Sequence, residues 1–81
     1  MSQTLVSAWK SARERLTAAG IDSPVIDARL LLEAAAEASR LEIVTEPQRT
    51  LSLAQEERLE SFLQRREARE PVSHILGRKG F

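Results

Sequence analysis

Few side chains in this 81-residue sequence have the type and spacing to do chemistry. There is one histidine and no cysteine. Nucleophilic catalysis needs an activated Ser, Cys or Lys beside a base. His74 lies between Val72 and Ile75 in a short apolar segment, which predicts a histidine packed at the edge of a core rather than a catalytic one. Glu33 and Glu37 stand one helical turn apart, yet Arg29 and Arg40 share their stripe. That pattern fits an ion-paired, solvated helix face better than a metal site, which wants clustered His, Cys or carboxylate ligands. Gly20, Gly77 and Gly80 are isolated, so no glycine loop cradles a phosphate. The expectation is therefore a chain with no catalytic, cofactor-binding or metal-binding residues of its own.

What remains is a concentration of cations. From Ser61 to Phe81, Arg65, Arg66, Arg69, Arg78 and Lys79 outnumber Glu67 and Glu70 by three, while the preceding residues carry the opposite imbalance. One reading is ordinary solvated helix faces. The other is a basic end that meets an acidic partner surface or a phosphate backbone. Arg65, Arg66 and Arg69 are the candidate partner-binding residues on the second reading.

The elements that would position these residues are helices. The apolar positions are filled mainly by leucine and alanine, and Trp9, Phe62 and Phe81 are the only aromatics. Such side chains lose little freedom in a helix. Leu5, Ala8, Trp9, Ala12, Leu16 and Ala19 recur at helical spacing. They predict a helix from about Thr4 to Ala19, with Thr4 as its cap, Gly20 just past its end and Trp9 as a core anchor. Ser23-Pro24 opens a second helix running to about Ala38, with Ser23 as cap and Pro24 in the first turn. Apolar around most of its circumference, this helix is expected at the centre.

Ser39 with Glu42, and Ser52 with Gln55, have the spacing of capping boxes. The first opens a one- to two-turn helix, with a short strand at Ile43-Val44-Thr45 as the alternative. The second opens a longer helix whose seam is Leu59, Phe62 and Leu63, continued by Arg66. Glu70 to Gly77 reads as a final short helix, with Pro71 near its first turn. The expected fold is all-α: a small bundle of about five helices, three longer and two short, with the start of a connecting hairpin at the C-terminus. A large apolar residue at the very end, Phe81, suggests that a further segment follows.

Composition bounds the rest. A single domain is the limit at this length. No run approaches the ~18 apolar residues of a membrane span, and the start lacks a secretory signal. The absence of cysteine fits a reducing cytosol. A formal net charge of zero argues against a dedicated nucleic-acid binder, and the one basic cluster shares its helix with Glu56, Glu57, Glu60 and Glu67.

Two stretches carry a resemblance. The run Ser23-Pro24-Val25-Ile26-Asp27-Ala28-Arg29-Leu30-Leu31-Leu32 and the run Arg65-Arg66-Glu67-Ala68-Arg69-Glu70-Pro71-Val72-Ser73-His74-Ile75-Leu76-Gly77 resemble the N-terminal domain of the HemK/PrmC family, the peptide chain release factor glutamine methyltransferases. The resemblance covers essentially the whole chain. It implies a helical substrate-recognition domain over residues 1–77, with 78–81 opening a hairpin toward a Rossmann-like domain that binds S-adenosylmethionine. It further implies that the full-length parent is a cytoplasmic enzyme of translation termination. That enzyme methylates the side-chain amide of the glutamine in the Gly-Gly-Gln motif of class I release factors. The partners implied are a release factor and the parent's own C-terminal methyltransferase domain. The motifs that hold cofactor and substrate amide belong to that second domain, so none is carried onto these residues. Where the family commonly has an acidic residue after the last helix, this chain has Gly80. A free-standing helical interaction module is the alternative.

Overall fold

A computed structural model describes residues 3–77. The first helix, α1 (Leu5–Ala18), buries Leu5, Ala8, Ala12 and Leu16, which lie on one face at the spacing the sequence shows. Thr4 caps it, its hydroxyl accepting from the Ser7 N–H at 3.2 Å. Other N–H groups at a helix start have no partner within the helix. Here distant residues take them: Leu5 N–H donates to the Arg49 carbonyl at 2.9 Å and Val6 N–H to that of Pro47 at 3.1 Å. Leu51 N–H returns a bond to the Gln3 carbonyl at 2.9 Å, so Thr4 and Thr50 form an isolated antiparallel bridge. Gly20, at φ +77°, makes the left-handed turn that ends α1.

Helix α2 (Pro24–Ala36) begins with Pro24 in its first turn, as expected. The Ser23 side chain, however, makes no capping bond; its carbonyl accepts from the Asp27 N–H at 3.0 Å. The helix also ends before the expected Ala38. Glu37 takes a left-handed conformation at φ +53°. The Ala36 carbonyl, left over at the helix end, accepts from Arg49 Nη2 at 3.0 Å and Gln55 Nε2 at 3.1 Å. The sequence stripe from Arg29 to Arg40 is therefore broken, with Arg40 opening the next element.

That element is the short helix α3 (Arg40–Thr45), the helical alternative rather than the strand. Both capping boxes form: Ser39 with Glu42 at the start of α3, and Ser52 with Gln55 at the start of α4 (Leu53–Glu67). A one-turn α5 (Val72–Ile75) follows a tight connection in which Arg69 has φ +75°. Its inward position belongs to Ile75; His74 is exposed rather than packed at the core edge.

Packing places α2 at the centre, against α1, α4 and α5. Leu5, Leu16, Leu31 and Leu32 are the largest side chains fully removed from solvent, each contributing about 1.5–3 kcal/mol of burial. Ala8 and Ala12 on α1, with Ala28, Ala35 and Ala36 on α2, are buried too. Small side chains there let the backbones of this most extensively contacting helix pair approach closely. Leu59 and Leu63 bring the α4 seam against this layer, and Phe62 packs half-buried beside them. The described residues thus form an all-α bundle of five helices, three longer and two short. The expected hairpin start, residues 78–81, lies outside the described residues.

Candidate partner-binding site

The three candidate arginines cluster at the C-terminal end of α4. Arg65 and Arg66 lie in its last turn, and Arg69 follows in the turn to α5. The structure engages every one of them internally.

Arg66 continues the α4 seam as its spacing predicts, and its head is engaged within the bundle. Its Nε donates to Asp27 Oδ2 at 3.0 Å, and its Nη1 donates to the Glu70 carbonyl at 3.2 Å. The side chains of Arg66 and Asp27 are only 20% and 13% exposed. Asp27 sits in the first turn of α2, where the helix dipole favours a negative charge. The pair therefore ties the start of α2 to the end of α4.

Arg65 grips Glu70 through two parallel bonds, Nε to Oε1 at 2.9 Å and Nη2 to Oε2, and reaches the Ile75 carbonyl of α5 through Nη1 at 3.4 Å. The planar guanidinium suits this two-point grip on a carboxylate. The hydrogen bond from Arg65 holds the Glu70 carboxyl below its ordinary value, and the same bond raises Arg65.

Arg69 points back to the end of α1, donating from Nη2 to the Ala19 carbonyl at 2.9 Å and from Nη1 to the Gly20 carbonyl at 3.2 Å. A cation is well placed there, because the last carbonyls of a helix carry partial negative charge. A fourth arginine extends the network. Arg15 on α1 donates from Nη2 to Glu67 Oε1 at 2.8 Å and from Nη1 to Glu60 Oε1 at 2.5 Å. The bond to Glu67, then that to Glu60, raises Arg15, and Arg15 holds Glu60 below its ordinary value.

Arg65, Arg66 and Arg69 are thus brought together with Asp27, Glu70 and the carbonyl ends of α1 and α5. Sequence reasoning did not pair Asp27 with Arg66 or Arg15 with Glu60 and Glu67. The available signal for Asp27 was a carboxylate in the first turn of a helix whose other charges, Arg29 and Glu33, share a separate stripe. Chemically the cluster is a brace: its cations already have acceptors. Among the described residues no group of three or more His, Cys, Asp or Glu is placed to hold a metal ion. No helix among them is long and apolar enough to cross a membrane.

A small helical bundle whose α4 terminus is braced by arginines to every neighbouring element, with one buried Asp–Arg pair inside the brace, defines a compact helical module. The chain belongs to the PrmC N-terminal domain family, which matches residues 7–77. It is similar to release factor glutamine methyltransferases. That of Caulobacter vibrioides is 60% identical over 81 residues, covering all of this chain and 28% of that protein. That of Vibrio cholerae is 40% identical over the same 81 residues and the same 28%. That of Rhodospirillum rubrum is 40% identical over 67 residues, 83% of this chain and 21% of that protein. The chain therefore spans only about a quarter of the length of the curated relatives it matches. No solved structure matches.

Proposed function

We propose that this chain is the release-factor-holding domain of a protein-glutamine methyltransferase, and that methyl transfer takes place in a domain of the parent beyond residue 77. The observation that carries the reading is the family match over nearly the whole chain, combined with the short share of each relative that it spans. In this reading the parent uses S-adenosylmethionine to methylate the Gly-Gly-Gln glutamine of a class I release factor in the cytoplasm, at the termination stage of translation. The helical domain contributes alignment. An amide nitrogen is a poor nucleophile, and gripping a large substrate at a remote surface supplies binding energy that orients the reacting centre.

Arg65, Arg66 and Arg69 border the domain-facing side of the bundle in this proposal. They sit beside α5 and Gly77, the end from which the rest of the parent would extend. The Arg65 guanidinium ties α5 to α4 through the Ile75 carbonyl, and the outer faces of Arg65 and Arg69 remain open to a neighbouring domain.

Titration of the chain with a class I release factor tests the reading. Saturable binding is expected, together with slowed methylation by a parent enzyme from which the helical domain has been removed. No binding at high micromolar concentration, with undiminished methylation by that truncated parent, would overturn it.

A further inference from the structure

The opposite side of the bundle has a different character. A cleft of about 270 Å³ lies between α1, α2 and α3, lined by Trp9, Val25, Arg29, Arg40 and Val44 over the buried Ile43. Val25 also lines an open depression that continues along α1 past Arg13 and Lys10. The Arg13 guanidinium lies over the Trp9 ring, 4.5 Å from its centroid, and joins the two.

Three features of this groove are unusual together. It is apolar at its lip: Val25 is 50% exposed and Val44 is 72% exposed. It is cationic: Lys10, Arg13, Arg29 and Arg40 line it against the single carboxylate Glu14, in a chain with no net charge. Glu33, 3.2 Å from Arg29, offsets one more of these charges. It also holds donors without acceptors. Trp9 Nε1 and Arg13 Nε are buried atoms with no hydrogen-bond partner among the described residues, whereas Arg29 Nε lies 3.2 Å from Glu33 Oε2. Buried donors are nearly always satisfied, so two left open beside one groove are unusual. Trp9, expected as a core anchor, is instead half-buried at the base of this groove.

We infer that this groove seats a segment of the release factor that presents an aliphatic or aromatic side chain flanked by carboxylates. The apolar side chain enters between Val25 and Val44, and the carboxylates meet Arg13 and Arg40. Aromatic and arginine side chains are the usual anchors of such contacts, and surplus charge on the groove steers an oppositely charged segment into it. The inference deepens the release-factor reading above and rests on it.

The test uses the chain labelled with nitrogen-15 and an unlabelled class I release factor. Trp9 supplies a single indole resonance, since the chain has one tryptophan. That resonance and the amides of α1 to α3 along the groove are expected to shift on binding. Arg40→Glu and Val44→Asp alter exposed side chains and leave the circular dichroism spectrum unchanged. Each weakens binding by about tenfold or more, while Arg58→Glu, on α4, changes it less than about twofold. Undiminished binding by both groove variants would overturn the inference and leave the release-factor reading intact. Absence of binding by the unaltered chain, with undiminished methylation by a parent lacking the helical domain, would overturn both. An indole shift that follows the chain's own concentration would overturn the inference by showing a second copy in the groove. An indole already shifted in the longer parent before release factor is added would overturn it in favour of the parent's own second domain.

Discussion

Removing the Asp27 carboxylate by Asp27→Ala should destabilise the bundle by about 2–3 kcal/mol. A hydrogen bond to a charged group contributes ~1.5–3 kcal/mol, and stranding one member of a fully buried pair costs ~3–5 kcal/mol. The geometry selects the lower part of that range. After the change Arg66 Nη1 still donates to the Glu70 carbonyl, and the Arg66 side chain keeps 20% exposure through which water can reach it. A domain of this length has a total stability of roughly 4–12 kcal/mol, so the loss is a large fraction of the whole. It corresponds to a fall of about 10–20 °C in the thermal midpoint. Arg66→Met, which keeps an apolar stem on the α4 seam but leaves Asp27 unpaired, should cost about 2 kcal/mol by the same reasoning. The decisive measurement is the double-mutant cycle, with urea unfolding followed by far-UV circular dichroism. The double variant should cost at least ~1 kcal/mol less than the sum of the singles, because each single change strands the partner that the other removes. Additivity within about 0.5 kcal/mol would refute the pair as the link between α2 and α4.

Acid should loosen the same end of the bundle. Glu60 and Glu70 are held below their ordinary value in the folded state, by Arg15 and Arg65 respectively. Their contribution is therefore complete above that value of 4.5 and is lost as pH falls below it toward the depressed folded value. The urea midpoint should decline on that acid limb, and Glu60→Gln with Glu70→Gln should flatten it; a wild-type limb as flat as the double variant's would contradict the assignment. At the end of α2, Glu37 holds a left-handed φ of +53° with an exposed side chain. Glu37→Gly should raise stability by about 0.5–1 kcal/mol, since the strain relieved exceeds the added freedom of the unfolded chain. Urea unfolding measures this too, and a drop in the midpoint would show that Glu37 makes a contact worth more than its strain.

The legibility of the sequence followed the range of the interactions. Helix starts were readable because a capping box is complete within four residues: Ser39 needs only Glu42, and Ser52 only Gln55. Gly20 marked the end of α1 for the same local reason. The end of α2 was not readable, because it is set by acceptor satisfaction at a distance. Arg49 and Gln55, from the loop and the next long helix, claim the Ala36 carbonyl while Glu37 turns left-handed. The Thr4–Thr50 bridge and the Asp27–Arg66 pair, 39 residues apart, are equally invisible to any local pattern. Ser23 shows the converse failure: a good capping residue in the right place, whose side chain makes no cap.

The arginines show what counting charge along the chain leaves out. The sequence concentrates cations in the last quarter, and on that basis Arg65, Arg66 and Arg69 stood out. In the fold, Glu70 and Asp27 neutralise two of them, and the carbonyl end of α1 satisfies the third. Lys10, Arg13, Arg29 and Arg40 are scattered through the acidic part of the sequence, yet α1, α2 and α3 gather them on one groove with few carboxylates among them. A charge can attract a partner only to the extent that the fold has not already matched it. By that criterion the braced end of α4 is suited to holding the helices of the bundle at fixed angles. The surplus that can draw in a separate protein lies across the bundle, around Trp9.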